Sequence, residues 1–499
     1  MSEPVDVGAR RTEPLPSWLA VVLVVATSAS VLVLEILAGR LLAPYVGVSL
    51  QTYTGIIGTV LAGISAGAWA GGWCADRFDS RRLLPILLMV GGGLAMSVIP
   101  VVRVLGRSGT DSGIGRIVVL AGCGFLPVAA VLSAVPPAVV KLQLRDLDAT
   151  GRTVGRLSAY STGGAIGGTF FTGFVLVSWA AVSTLIVVVG AALCTFGLLL
   201  WLLLTRRRVI DAAAATAVAA LAVVGVAFVD PACRLDSAYY CVSVVAATDR
   251  PQGRVLMMDD LRHSYVDLAD PTYLAFWYTR RLVDAIDLHS PAGPLQIAYL
   301  GGGGFTLPRA MRAERPGSAQ TVFEIDPALV RFVRDELGFV PGEDVTVVVG
   351  DARMGVRAVA DGRFDVVVGD AFGSRAVPWH LATEEFIAEI DRVLRPGGLY
   401  VANVIDEPGQ RFLRAEAATI AAVLSYVVVV LGPQTAAGRL GNSVIVASDH
   451  PLDAGAIERA MDADGDAGLI VGDLTAFVAG AGRLTDDYAP VDQLIAAGR

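Results

Sequence analysis

The sequence is short of charge, of cysteine and of histidine. Only 17% of its 499 residues are charged and 54% are apolar, which excludes a disordered chain and argues against a wholly soluble one. The C-terminal half holds no cluster of Lys or Arg, so nucleic acid is not expected as a partner. The four histidines (263, 289, 380 and 450) lack paired i, i+4 spacing and no Cys-x-x-Cys occurs, so no metal centre is expected. Of the five cysteines, Cys74, Cys123 and Cys194 fall in or at the ends of apolar runs and read as small packing residues. Cys233 and Cys241 stand apart from these: outside the cytoplasm they pair, and inside it they remain thiols.

The charge that is present is unevenly placed. Residues 1–230 carry 16 Lys+Arg and 11 Asp+Glu, whereas 231–499 carry 23 and 36. Two units of different solvent class therefore meet near residue 230. We divide the chain into a tail (1–16), a helical membrane region (17–230), a small β-sheet with a linking helix (231–290) and an α/β domain (291–499).

Apolar runs long enough to cross a bilayer, roughly 20 residues each, fall at about 18–38, 52–73, 83–102, 117–137, 157–178, 182–204 and 210–229. About seven spans are thus expected, the fifth being rich in glycines (163, 164, 167, 168, 173) that let helices approach closely. Basic residues gather in alternate loops: Arg10 and Arg11; Arg77, Arg81 and Arg82; Lys141, Arg145, Arg152 and Arg156; Arg206, Arg207 and Arg208. Those loops belong in the cytoplasm. Seven spans then place the C-terminal half outside it. Glu35 lies within the first run, where a carboxylate faces a polar cavity or snorkels toward Arg40. The stretch Gly72-Trp73-Cys74-Ala75-Asp76-Arg77, with Arg81 and Arg82, resembles a major-facilitator loop and equally suits a plain charged turn.

From about 294 short apolar runs alternate with amphipathic helices, the pattern of a parallel sheet covered on both faces. Strands are expected at 295–300, 321–323, 345–349, 364–368 and 399–404. The first ends in Gly301-Gly302-Gly303-Gly304, and the next three end in Glu324, Asp351 and Asp370. Strand carboxyl ends line the ligand crevice of an open α/β sheet. Gly301, Gly302 and Gly303 let the backbone approach a ligand. Glu324, about 20 residues on, suits a ribose diol. Asp351 and the following Ala352 suit an adenine, and Asp370 faces the reacting centre. A helix cap is the alternative role for each acid. Neither a dinucleotide fingerprint nor a Walker loop fits, because Thr306 or Leu307 stands where the third glycine belongs and no Gly-Lys-Ser/Thr follows.

These residues resemble the spermidine synthase family, over about 240–450, and the whole arrangement resembles the membrane-fused bacterial spermidine-synthase-like proteins. The resemblance implies a class I methyltransferase-like (Rossmann-like) fold with a small N-terminal β-sheet, here at 239–248, 254–258 and 263–268. It implies decarboxylated S-adenosylmethionine (or S-adenosylmethionine) as co-substrate, no metal, and a small amine as acceptor. Glu324 then holds the ribose, Asp351 the adenine, and Asp370 is the catalytic base. Three departures stand out. The family's Gly-Gly-Gly-Asp-Gly has Gly304 at its acid, Asp-Ser-Ser/Thr-Asp-Pro has Gly373 at its second acid, and Leu-Asp-Gly-x-x-Gln has His263 for its Gln. Asp259, Asp260 and Asp267 are candidates to replace the lost acids, and Trp379 and His380 to cover the ligand. Asp259, His263 and Trp379 are accordingly taken as substrate-binding. Aminopropyl transfer is the first reading. Methyl transfer, and a transporter or sensor whose soluble domain only binds, are the others. Polyamine, bilayer and an open question of oligomer complete the expected partners.

Overall fold

The computed structural model describes residues 15–47, 50–107, 114–144, 147–204, 233–290, 292–373 and 376–496. The expected run at 210–229, Arg10, Arg11, Arg145, Arg206, Arg207 and Arg208 lie outside the described residues. The chain divides into two units, Met1–Ala232 and Cys233–Arg499.

The first unit is helical throughout its described residues. Long apolar stretches form α1 (Ser17–Val46), α2 (Leu50–Arg77) and α3 (Ser80–Arg107), α3 continuing through Pro85 and Pro100. The fourth run breaks into α4 (Ile114–Gly124), α5 (Leu126–Ser133) and α6 (Val135–Gln143). Pro127 and the pair Pro136-Pro137 fall at these breaks, in the first turns of α5 and α6, where a missing N–H is best tolerated. α7 (Thr150–Phe171) runs on through a π-turn (Thr172–Leu176) into the short α8 (Val177–Trp179), and α9 spans Val182–Leu204. Five helices among the described residues are long and apolar enough to cross a membrane, counting Leu126–Gln143 as one. Five of the expected runs are reached among the described residues; the fifth run is helical but diluted by its Ser, Thr and Gly, and the seventh lies outside those residues.

Close approach through small residues holds this unit together, as expected where lipid offers apolar contact to every helix. Gly63, Gly67 and Gly71 of α2 lie against Leu126, Ala130 and Ala134. Gly164 and Gly168 of α7 lie on Val25 and Ala29 of α1, whereas a Cβ at Gly163 or Gly167 would meet open space. One face of the glycine-rich helix is thus a packing face. Glu35 is half-buried and forms no hydrogen bond or ion pair among the described residues, so the contact with Arg40 is not made. The facilitator-like stretch is the end of α2 and a turn, where Lys141 bonds the Ala75 carbonyl and Asp76.

The second unit begins with a four-stranded antiparallel sheet, β1 (Leu235–Asp236), β2 (Cys241–Ala246), β3 (Gly253–Met258) and β4 (Leu261–Asp267), in that order. Cys233 and Cys241 form a disulfide that staples the β1–β2 hairpin. The larger sheet comprises β5 (Gln296–Leu300), β6 (Ala319–Glu324), β7 (Val345–Val349), β8 (Phe364–Gly369), β9 (Leu394–Asp406), β10 (Tyr426–Leu431), β11 (Gly441–Ser448) and β12 (Leu469–Ile470). Its order is β12-β10-β11-β9-β8-β5-β6-β7. Strands β7-β6-β5-β8-β9 are parallel, while β11, β10 and β12 join antiparallel, so the sheet is mixed rather than wholly parallel. Ile297 to Leu300 and Val366 to Val368 are buried on both faces, as central strands under helices on both sides must be. The chain leaves β5 for β6 and β7 and returns to β8 on the other side of β5. That reversal opens a crevice at the carboxyl ends of β5 and β8.

Candidate active site

The glycine loop after β5 is built for close backbone approach. Gly301 has φ +93°, and a Cβ there would sit 2.6 Å from the Asp370 carbonyl oxygen. Gly303 has φ +48°, and its Cβ would come 2.9 Å from Ser264 Oγ and 3.3 Å from His263 Nδ1. Both positions require glycine.

Glu324, at the end of β6 and buried, faces this loop. Its Oε2 accepts the Gly302 N–H at 2.8 Å and the Gly303 N–H at 3.4 Å, and its Oε1 accepts the Asp326 N–H at 2.9 Å. Burial raises its pKa against the pull of these N–H groups. A carboxylate accepts about four hydrogen bonds, so capacity for a further donor remains. Asp326 caps the helix Pro327–Leu337 and accepts the Ser237 hydroxyl from the β1–β2 turn.

Asp370 ends β8 beside Gly301. Asn403 Nδ2 donates to its Oδ1 at 2.8 Å and the Tyr278 hydroxyl to its Oδ2 at 3.4 Å. Asn442 Nδ2 in turn donates to Asn403 Oδ1 at 2.9 Å, which orients the Asn403 amide toward Asp370. Loss of solvent pushes the Asp370 carboxyl up to about 7, against the two donors that favour its charged form. Burial and the neighbouring Asp370 drive the Tyr278 phenol far above its ordinary range, so it remains a donor. The residue is therefore half charged near neutral pH, the condition under which a carboxylate best exchanges protons.

Asp351, after β7, caps the helix Ala352–Arg357 by accepting the Met354 N–H at 3.0 Å. Its Oδ2 meets His380 Nε2 at 2.7 Å. Burial works to raise its pKa, but the Met354 N–H and His380 outweigh it and hold the carboxyl low. Of the two roles weighed for this acid, the cap is the one its hydrogen bonds make, at the carboxyl end of β7. Ala352 follows, buried. Trp379 is half exposed and packs edge-on against His380.

The small sheet reaches the glycine loop through β4. Gly304 donates its N–H to Ser264 Oγ at 2.9 Å, and the His263 ring stands edge-on to Phe372 with centroids 6.5 Å apart. Burial depresses His263 to about 4, so it is neutral at pH 7. Tyr240, in the β1–β2 turn, donates to the Phe372 carbonyl at 3.0 Å. Asp259 (φ +53°) accepts the Cys241 N–H at 3.1 Å at the turn of the β3–β4 hairpin. Asp267 is occupied elsewhere, paired with Arg250 at 2.7 Å. Glu324, Asp370 and His263 thus surround the loop Gly301-Gly302-Gly303; Asp351, His380 and Trp379 form a second group. Sequence reasoning missed Tyr278, Asn403, Tyr240 and Ser264. Asn403 alone carried a signal, an amide in the otherwise apolar run of β9.

The two positions of lost family acids differ physically. A Cβ at Gly304 would lie 2.8 Å from Ser264 Cβ, so no side chain fits there, whereas at Gly373 its nearest neighbour is the Ala376 carbonyl oxygen at 3.9 Å. Residues 299–402 match the methyltransferase domain family. Over 112 residues the chain is 35% identical to the polyamine aminopropyltransferase of Vibrio vulnificus (strain CMCP6), covering 22% of this chain and 38% of that protein. The second unit is similar to the polyamine aminopropyltransferases. The enzyme of that name from Neisseria meningitidis serogroup A is 27% identical over 158 residues, 31% of this chain and 59% of that one. The chain therefore spans about two to three fifths of the length of these curated relatives. Among solved structures, a probable spermidine synthase from Corynebacterium glutamicum ATCC 13032 aligns at 29% identity and TM-score 0.47, over 51% of this chain and 95% of that one. The spermidine synthase of Thermotoga maritima aligns at 21% identity and TM-score 0.34, over 43% and 71%.

Proposed function

We propose that the second unit is a transferase that moves a carbon group from an adenosyl sulfonium donor to a small amine. Aminopropyl transfer from decarboxylated S-adenosylmethionine to putrescine or a related amine is the first reading. The observation that carries it is Asp370: a carboxyl held near pKa 7, at the strand switch point, next to a glycine loop whose N–H groups face the buried Glu324. In this reading Glu324 and the loop hold the ribose, and Asp351 with Ala352 borders the adenine.

The donor supplies an electrophilic carbon beside a sulfonium and leaves as a neutral thioether. The acceptor amine arrives protonated, since an alkyl ammonium has a pKa of about 10. Asp370 as carboxylate takes one ammonium proton and directs the freed lone pair at that carbon. The N–C bond forms as the C–S bond breaks, its electron pair passing to sulfur. The product leaves as a secondary ammonium, with the abstracted proton on Asp370. Asn403 and Tyr278 hold the carboxylate during this transfer. Asp259 and Trp379 are the proposed groups for the rest of the amine, and neutral His263 bounds it without adding charge.

The absence of room at Gly304 favours methyl transfer as a second reading, because the acid that would hold the donor's own amine cannot be there. The test is the full chain, purified in lipid nanodiscs, incubated with putrescine and either sulfonium donor, with products read by mass spectrometry. A 5′-methylthio nucleoside formed with decarboxylated donor, and lost in Asp370→Asn, supports the first reading. A homocysteine-bearing nucleoside formed only with the carboxylated donor supports the second. No binding of either donor overturns both.

The five apolar helices support a multi-pass membrane location. Both donors are made in the cytoplasm, so the transferase reading requires the second unit to face it and the Cys233–Cys241 pair, close enough here to bond, to stand there as thiols. A reporter fused at residue 499 that registers an external terminus would overturn that reading.

A further inference from the structure

Within the first unit, α1, α2, α5, α6 and α7 line a half-open cavity of about 430 Å³. Its walls are mostly apolar and no charged side chain lines it. A cation or anion placed there would have no partner, which in a membrane region is costly. Polyamines and carboxylates are therefore excluded as occupants.

The polar groups that do face the cavity are of one kind. Ser28 and Ser161 share a hydrogen bond at 2.7 Å across α1 and α7. Ser133 and Ser158 also line the cavity and make no hydrogen bond among the described residues. Thr27 is satisfied by its own helix, bonding the Leu23 carbonyl at 2.9 Å. The break between α5 and α6 adds a backbone acceptor. Pro136 and Pro137 have no N–H; the Leu132 carbonyl is met instead by the Ala134 N–H, whereas the Ser133 carbonyl lacks the donor an uninterrupted helix would give it. Broken backbone at membrane depth is tolerated where it lines a cavity.

An apolar chamber with a surplus acceptor and free hydroxyls matches a ligand with an apolar body and an uncharged donor-acceptor end. We propose that this cavity binds a hydroxyl-bearing, uncharged lipid from the bilayer, its hydroxyl donating to the Ser133 carbonyl and accepting from Ser158 or Ser161. The site is independent of the transferase chemistry.

The test uses the full chain in phosphatidylcholine nanodiscs with a photoactivatable long-chain alcohol, and with the same chain ending in carboxylate or ammonium. Crosslinked peptides are mapped by mass spectrometry. The alcohol should label peptides spanning 131–140 and 154–165 about fivefold more than either charged probe, the worth of roughly one hydrogen bond. Ala165→Phe, which fills the cavity, should remove that preference. Ile166→Phe, on the adjacent half-exposed position, should leave it intact. Should Ala165→Phe fail to fold, the paired change Ser158→Ala with Ser161→Ala keeps the volume, removes the donating hydroxyls and should reduce the preference by about twofold or more. Equal labelling by all three in the unaltered protein, or a preference that survives both cavity changes undiminished, overturns the proposal.

Discussion

Asn403→Ala isolates how the protein tunes Asp370. The amide donates to Oδ1 at 2.8 Å, whereas the Tyr278 hydroxyl reaches Oδ2 only at 3.4 Å. A hydrogen bond to a charged group contributes about 1.5–3 kcal/mol, and one pKa unit is about 1.4 kcal/mol. Removing the Asn403 donor destabilises the carboxylate and not the acid, so the Asp370 pKa should climb by about 1–2 units from about 7. Because the carboxylate is the active form, the acidic limb of kcat/KM for aminopropyl transfer should move up to about 8–9. Activity at pH 7 should fall by about five- to fiftyfold and recover at high pH. Tyr278→Phe, breaking the longer contact, should move the limb less than half as far. The infrared band of a protonated carboxyl, absent in Asp370→Asn, should titrate in step with the limb. A uniform loss of rate with an unmoved limb would assign Asn403 to packing and refute the tuning argument.

Asp370 should also cost stability. Its folded pKa lies above its ordinary value of 3.8, so between about pH 4 and 7 the folded chain binds more protons than the unfolded one and stability declines as pH rises. Asp370→Asn should therefore unfold at higher temperature than the parent at pH 8, by on the order of 1–2 kcal/mol after allowance for solvent at the cleft. The difference should shrink at pH 5.5; a gap that is constant with pH would contradict the burial argument. Gly373→Asp meets no steric obstacle and should lower KM for a diamine without altering that for a monoamine, measured by steady-state kinetics. Gly304→Ala should instead lose about 1–3 kcal/mol in denaturant unfolding, through overpacking on Ser264. Cys233→Ser in the purified protein opens a crosslink with a sequence separation of 8, costing roughly 2–3 kcal/mol of hairpin stability. Faster amide exchange at Tyr240 than in the oxidised parent is the readout.

The crevice acids were legible because their signal is topological. Apolar runs that each terminate in a carboxylate can be recognised without knowing any contact, and the strand order then brings Glu324 and Asp370 to the two sides of one loop. What the pattern could not convey is which groups answer those acids. Tyr278 arrives from a helix 92 residues away in sequence and Asn403 from a strand 33 residues on. Asn403 was visible only as a polar interruption in an apolar strand. The antiparallel edge escaped notice for a related reason, since a fully buried strand reads alike in either direction until its neighbours are known. In the membrane unit the difficulty is reversed. Apolar length is legible, but Pro136-Pro137 divides one run, and the Ser, Thr and Gly content of α7 serves contacts with α1 that hydropathy cannot register. Gly304 joins the two lessons. Its identity revealed a missing acid, and only Ser264, contributed by the small sheet, explains that there is no space for one. The altered amine end is thus a property of how two sheets meet, so restoring charge at residue 304 requires changing residue 264 as well, whereas residue 373 can be changed alone.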